Sequence, residues 1–137
     1  MSEQAGTAMG GFTDYLGLTL GETTGDRVRA TIDVTPQQHQ PYGIVHGGVF
    51  CAVIETVASI GAALWFGERG HCVGVHNSTH FVRAVRDGQL HVDATPLHRG
   101  RTQQLWQVFI HDESERLVSK GEVRLANVAS SDALGSS

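Results

Sequence analysis

The hydrophobic pattern changes character three times along the chain. Arg27 to Thr35 alternates, with Val28, Ala30, Ile32 and Val34 on one face and Arg27, Arg29, Thr31 and Asp33 on the other. That period of two predicts a half-buried antiparallel strand, which Pro36 ends. A polar loop, Gln37 to Val45, follows. Within it Gln40-Pro41-Tyr42-Gly43 predicts a β-turn, with proline second and glycine fourth. Then the alternation stops. His46 to Phe66, HGGVFCAVIETVASIGAALWF, is apolar or small almost throughout, and its single charge is Glu55. A helix apolar on every side belongs in a core or a membrane.

After this run the strand signal returns and persists. Cys72 to Val85 reads as one strand, or two joined by a bend, and Asp87-Gly88 as a hairpin turn. Gln89 to Leu97 alternates again, with Pro96 marking a bulge or an edge. Arg99-Gly100-Arg101 predicts the next turn. Thr102 to Ile110 and Leu117 to Leu125 predict a last hairpin through His111 to Arg116. At the other end, Phe12 to Leu18 predicts a short helix, Leu18 to Glu22 a short strand and Gly25-Asp26 a turn.

This order is α+β: one apolar helix and one large antiparallel sheet curled around it. Such a fold favours pairing of sheets between subunits. The expected organisation is one domain over 12–126, a disordered N-terminus over 1–11 and a flexible tail over 127–137. The helix has the length of a bilayer span, roughly 20 residues. Glu55 at mid-membrane, Gly47, Gly48 and Gly61 within the run, and no flanking Lys/Arg cluster argue instead for a buried central helix and no membrane.

Composition narrows the field further. The 137 residues carry a net charge of −4, and the pI of about 6.0 gives no general attraction to nucleic acid. The N-terminus lacks the charged start and apolar core of a signal peptide, so a cytoplasmic protein is expected, with Cys51 and Cys72 free. Eight histidines raise the question of a metal. His76 and His80 have chelating spacing only on a helix. On the predicted strand they stand about 13 Å apart, so no metal is expected.

The chemistry centres on Glu55. A lone carboxylate in an apolar helix is costly unless it is paired, protonated or used. A structural role, held by backbone donors or a cross-subunit arginine, weighs evenly against a catalytic one. His46-Gly47-Gly48 opens the helix, where free amides and the positive dipole end favour an anion or a developing oxyanion. The bland reading is that the glycines only permit tight packing. Ser59, four residues beyond Glu55, shares its face and is placed to hydrogen-bond the carboxylate or a water.

Gln40 to Gly48, QPYGIVHGG, followed by Glu55 and Ser59, resembles the hotdog-fold acyl-CoA thioesterases. The spacing Q-x5-H-G-G-x6-E-x3-S is similar to the PaaI-type branch, which includes 4-hydroxybenzoyl-CoA and 1,4-dihydroxy-2-naphthoyl-CoA thioesterases. PLHRGRTQQLWQV, from Pro96 to Val108, is reminiscent of the naphthoyl-CoA enzyme. The resemblance spans about 12 to 126. It implies a homodimer with a shared active site, commonly doubled into a homotetramer. It also implies an acyl-CoA substrate and no separate cofactor. Glu55 would be the nucleophile or the general base, Gly47 the oxyanion amide donated across the dimer, Gln40 and His46 the groups orienting the thioester, and Ser59 a helper of water or carboxylate.

For the CoA tail the candidates are His80 and Arg83, and His98, Arg99, Gly100, Arg101 and Thr102 at the hairpin, since arginine forks suit phosphate. Each is equally readable as a solvated turn residue. Phe50, Val53, Leu64, Trp65 and Phe81 are candidates for an acyl pocket, although core is the simpler reading for each, as for Trp106. The expected activity is hydrolysis of an acyl-CoA, preferably aromatic, to acid and CoA. A non-catalytic acyl-CoA sensor and a hotdog dehydratase or hydratase are the alternatives. Against the last, the His46-Gly47-Gly48 start fits a thioesterase better.

Overall fold

Alternation does produce the sheet. In the computed structural model, which describes residues 10–129, six segments pair antiparallel into one sheet: β1 (Leu18–Thr23), β2 (Val28–Asp33), β3 (Gly70–Phe81), β4 (Gln89–Arg99), β5 (Gln103–His111) and β6 (Leu117–Ala129). Their order is β1-β2-β4-β5-β6-β3. A short helix α1 (Gly11–Leu16) precedes the sheet, and the long helix α2 (Gly47–Phe66) lies between β2 and β3. Contacts of α2 with every strand show that the sheet curves around it. This is the expected hotdog arrangement.

The core is where the two periods meet. Phe50, Val53, Ile54, Val57, Ala58, Gly61 and Ala62 of α2 face Ile32, Val92, Val108, Ile110, Val123 and Leu125 from the sheet. Trp106 is 0% exposed and the largest fully buried side chain. Its ring occupies the space a side chain at Gly61 would need, with Cη2 2.5 Å from an ideal Cβ there. The indole Nε1 donates to Gln104 Oε1 at 2.8 Å, and Gln104 Nε2 donates to the Asn127 Oδ1 at 2.9 Å and the Ala62 carbonyl at 3.2 Å. This fully buried amide is therefore satisfied, as burial requires.

Several expectations are corrected. Asp87-Gly88 turns the chain, with Gly88 at φ 93°, but it closes no hairpin. β3 pairs with β6 at one edge, whereas β4 pairs with β2 and β5 in the interior. The 82–88 segment is a crossover, anchored by the Val82 and Arg83 amides on the Val118 carbonyl. Residues 127–129 belong to β6 rather than to a tail, because the Asn127 amide donates to Thr102 and the side chain bridges to Gly100 and Arg101. Gly11 opens α1. The expectations for 1–9 and 130–137 fall outside the described residues. Pro96 does mark a bulge: the register shifts between Pro96 and His98, beyond the last β2 partner of β4.

The largest correction concerns Glu55. Although α2 is long and apolar enough to pass for a membrane span, it is not covered on all sides within the protomer. Gly48, Glu55, Ala63 and Leu64 are exposed and Cys51, Ser59 and Ile60 only half covered. Leu64 (50%) and Phe81 (58%) are exposed as well, not core. The uncovered face adjoins β3, a twelve-residue edge strand with no fully buried residue. A long exposed edge of this kind is a template for pairing.

Candidate active site

Three short-range devices shape the loop before α2. Thr35 and Gln38 form a capping box around the 3-10 turn Pro36–Gln38. The buried Gln38 side chain also donates from Nε2 to the Leu16 carbonyl at 2.8 Å. Gln40-Pro41-Tyr42-Gly43 is the predicted turn: the Gly43 amide donates to the Gln40 carbonyl at 3.0 Å, and Gly43 has φ 80°, which glycine adopts without strain. The Gln40 side-chain oxygen accepts from the Tyr42 amide, which leaves its NH2 outside the turn. The His46 amide donates to the Gln38 carbonyl at 2.9 Å, and Val45 to Val85 at 2.8 Å.

His46 is the N-cap of α2. Its Nδ1 accepts from the Gly48 amide at 2.8 Å. An amide only donates, so Nδ1 carries no proton and Nε2–H remains as a donor. The Gly48 amide is thus consumed by the cap, while the Gly47 amide has no partner among the described residues. An ideal Cβ at Gly47 would lie 2.8 Å from the ring of the exposed Phe81, so a side chain there would displace that ring. The Gly47 amide is nonetheless available to an anion.

Around this helix start lies an open cleft of about 310 Å³, formed by Gln40, Ile44, Gly47, Phe50, Phe81 and Arg83 with their neighbours. Phe50 and Phe81 meet at 6.2 Å between centroids. A larger cleft of about 720 Å³ lies elsewhere, beside Arg29, His91, Asp93 and His111, and contains none of the residues of the thioesterase-like motif.

Glu55 reaches the edge strand. Its Oε2 would be 2.8 Å from a Cβ at Gly74, and its Oε1 faces the Asn77 amide nitrogen at 3.4 Å. Asn77 Nδ2 also donates to the Cys51 carbonyl at 3.0 Å, and Asn77 Oδ1 accepts from the Thr79 hydroxyl at 2.6 Å. Ser59, one turn beyond Glu55 and half-buried, makes no side-chain hydrogen bond among the described residues. The expected Ser59 contact is thus replaced by one from Asn77, which sequence reasoning missed. The only available signal was a glycine and an amide facing a buried run, Gly74 and Asn77 in VGVHNST, and nothing in the pattern disclosed the bulge that joins them.

The CoA candidates fall into two groups at opposite ends of α2, about 30 Å apart for twenty residues. His80 and Arg83 are exposed near the Gly47 end. The hairpin group stands at the Phe66 end, around a cleft of about 510 Å³ with Trp65, Arg69 and Asn127. Arg99 is committed: its Nη1 donates to the Gly25 carbonyl at 2.7 Å and to Asp26 at 2.8 Å, and its guanidinium stands over Trp65 at 5.4 Å. Arg69 is committed too, donating to the Trp65 and Phe66 carbonyls that end the helix. Gly100 lets His98 pack close, with Nε2 2.7 Å from an ideal Cβ. Arg101 and Thr102 are exposed, and Arg101 has no ion pair among the described residues. His76 and His80 both lie on β3, as read from the sequence. Among the described residues no three His, Cys, Asp or Glu side chains cluster tightly enough to hold a metal ion.

The family model described as the thioesterase superfamily matches residues 42–119. The chain is 49% identical over 120 residues to Rv1847 of Mycobacterium tuberculosis, a protein that bears an esterase name, covering 85% of this chain and 86% of that one. It is 29% identical over 117 residues to the 1,4-dihydroxy-2-naphthoyl-CoA hydrolase of Escherichia coli, covering 85% and 86%. The crystal structure of thioesterase HI1161 from Haemophilus influenzae superposes with a TM-score of 0.89 at 28% identity, over 98% of this chain and 94% of that one. A curved antiparallel sheet around one helix is thus shared with proteins named as thioesterases, and the chain belongs to the thioesterase superfamily as a hotdog-fold thioester hydrolase.

Proposed function

We propose that this thioesterase hydrolyses an acyl-CoA with an aromatic acyl group, and that Glu55 is its catalytic carboxylate. The observation that carries the reading is the seat of Glu55: exposed on α2, pressed against Gly74 and faced by the Asn77 amide. A carboxylate held at an uncovered face is available to a substrate in a way a structural ion pair is not.

The site needs two copies of the chain. Glu55 lies eight residues after Gly47, about 12 Å along the helix axis. A thioester carbonyl whose oxygen rests on the Gly47 amide is therefore out of reach of Glu55 in the same protomer. Antiparallel pairing of two β3 edges runs the two helices in opposite directions and turns each Glu55 toward Gly47 of the partner subunit. The same pairing sets His80 and Arg83 of one copy near the hairpin end of the other, which reunites the two groups of CoA candidates, with Arg101 as the uncommitted guanidinium. The homotetramer expected from the resemblance would join two such dimers.

In this arrangement Gln40 NH2 and His46 Nε2–H orient the thioester, and the helix-start amide stabilises the oxyanion as charge develops. Glu55 either removes a proton from water as the water oxygen attacks the carbonyl carbon, or attacks that carbon itself to give an anhydride that water then opens. In both routes the C–S bond breaks, the electron pair leaves with sulfur, and the CoA thiolate takes up a proton. The aromatic preference rests on Phe50 and Phe81 in the cleft beside Gly47 and on similarity to the naphthoyl-CoA hydrolase.

The test is release of CoA thiol from aromatic and straight-chain acyl-CoAs by the wild type and Glu55→Ala. The expected result is turnover led by aromatic thioesters and a loss of several orders of magnitude in the variant. Binding of acyl-CoA without thiol release by the wild type would refute the reading.

A further inference from the structure

We infer that Asn77 is a positioning residue for Glu55, fixed in turn by Thr79 and by the absence of a side chain at Gly121. The inference rests on the reading of Glu55 as the reacting carboxylate.

The orientation of the Asn77 amide is decided by its neighbours. The Cys51 carbonyl, 3.0 Å from Nδ2, can only accept, so the atom facing it must be the NH2. On the other side the Thr79 hydroxyl, at 2.6 Å, satisfies Oδ1 by donating to it. A flipped amide would set its oxygen against both the carbonyl and the Glu55 carboxylate. With the NH2 held by Cys51, its second hydrogen is left for Glu55 Oε1 at 3.4 Å. That distance is long, as catalytic hydrogen bonds often are before substrate binds.

Thr79 is itself fixed. Its branched Cβ restricts rotation, and it pairs directly across the sheet with Gly121 of β6. An ideal Cβ at Gly121 would lie 2.8 Å from Thr79 Oγ1 and 2.9 Å from the Ser78 carbonyl, so any larger residue there displaces the hydroxyl. The strand is also built to aim Asn77. Gly74 and Asn77 are three residues apart, and in a regular strand they would face opposite sides. The register shift between Gly74 and His76 lets both meet Glu55. Bulges are used in this way to re-aim a side chain. Glu55 has no other side-chain donor among the described residues, so on an exposed helix face Asn77 and the Gly74 backbone are what limit its rotation.

The experiment measures kcat and KM for thiol release in Asn77→Ala, Asn77→Asp and Thr79→Val, each in the wild type and in Glu55→Asp. In the wild-type background Asn77→Ala and Asn77→Asp are expected to lower kcat about tenfold to hundredfold with KM within twofold, and Thr79→Val to lower it less. In Glu55→Asp the shortened carboxylate is already out of the amide's reach, so Asn77→Ala should cost less than twofold. The inference is overturned if Asn77→Ala lowers kcat by the same factor in both backgrounds, or if kcat is unchanged in the wild-type background. If Asn77→Ala does not fold, Asn77→Asp and Thr79→Val give the same comparison. Glu55→Ala is measured beside them. Full turnover in that variant would sink the assignment of Glu55 itself, whereas an inactive Glu55→Ala with a fully active Asn77→Ala would sink only the positioning role.

Discussion

Gly74→Ala separates the seat of Glu55 from the stability of the fold. The added Cβ would stand 2.8 Å from Glu55 Oε2 and 3.3 Å from Cδ, whereas ordinary contact begins at 3.4 Å. The atom struck is the far end of a flexible side chain, so the fold can absorb the change by letting the carboxylate retreat about 0.6 Å. Glycine inside a strand is itself unfavourable by roughly 0.5–1 kcal/mol relative to alanine, so the variant should be as stable as the wild type or slightly more so. Catalysis is far less tolerant. A misplacement of about 1 Å can cost about a hundredfold in rate, so a retreat of this size predicts a loss in kcat of about tenfold to hundredfold. Uniform binding of the CoA portion is untouched, so KM should change little. The assay is CoA thiol release over a substrate titration, with thermal unfolding of the same preparation. A variant that folds normally and turns over within twofold of wild type would refute the claim that the carboxylate against Gly74 is the reacting group.

Other consequences follow from named contacts. Gly61→Ala gains about 1 kcal/mol of helix propensity but sets a Cβ 2.5 Å from the buried Trp106 ring; overpacking of about 1–3 kcal/mol should win, and an unchanged or raised urea midpoint would contradict this. Arg27 holds Asp93 by two hydrogen bonds, at 2.9 and 2.7 Å, tying β2 to β4. That bond, against the smaller effect of burial, keeps the Asp93 carboxyl below its ordinary value of 3.8. A lowered folded-state value gives stability that is present above the ordinary value and lost as pH falls through the folded one. Asp93→Asn should therefore cost about 0.5–1 kcal/mol at pH 7, as a partly exposed pair does, and the gap from wild type should close below pH 3.8; an equal gap at both pH values in urea titrations would argue against the pairing. Burial, opposed by the charge of Arg69, raises the Cys72 thiol above its ordinary value, so Cys72 should resist alkylation at pH 7 until the chain unfolds, and rapid labelling mapped by mass spectrometry would contradict its packing against Gln104 and Asn127.

Much of the architecture was legible because each element carried its own period. Val28, Ala30 and Ile32 alternate in sequence and are buried as written. The Gln40–Gly43 turn forms because proline and glycine fit its two special positions. The glycines bounding α2 set its ends. Where the reading failed, long-range pairing had decided. Asp87-Gly88 looks like a hairpin, but Val82 and Arg83 bind Val118 and carry the chain across to the interior of the sheet. Asn127 looks like tail, yet it is held by Gln104 and the β4–β5 turn.

The candidate site divides in the same way. Sequence by itself determined which groups the candidate site offers: a carboxylate in an apolar helix, a His-Gly-Gly start and a glutamine in the preceding turn are local choices, fixed by residue type and spacing. Only the tertiary structure decided what those groups meet. The bulge in β3 brings Gly74 and Asn77 against Glu55, and the curl of the sheet leaves that face of the helix uncovered. Arg99, a candidate for the CoA phosphates by residue type, is taken by Gly25 and Asp26. The physical reason is that a period reports which face of an element is apolar, whereas the partner of that face depends on strand order and register, which many distant residues set together.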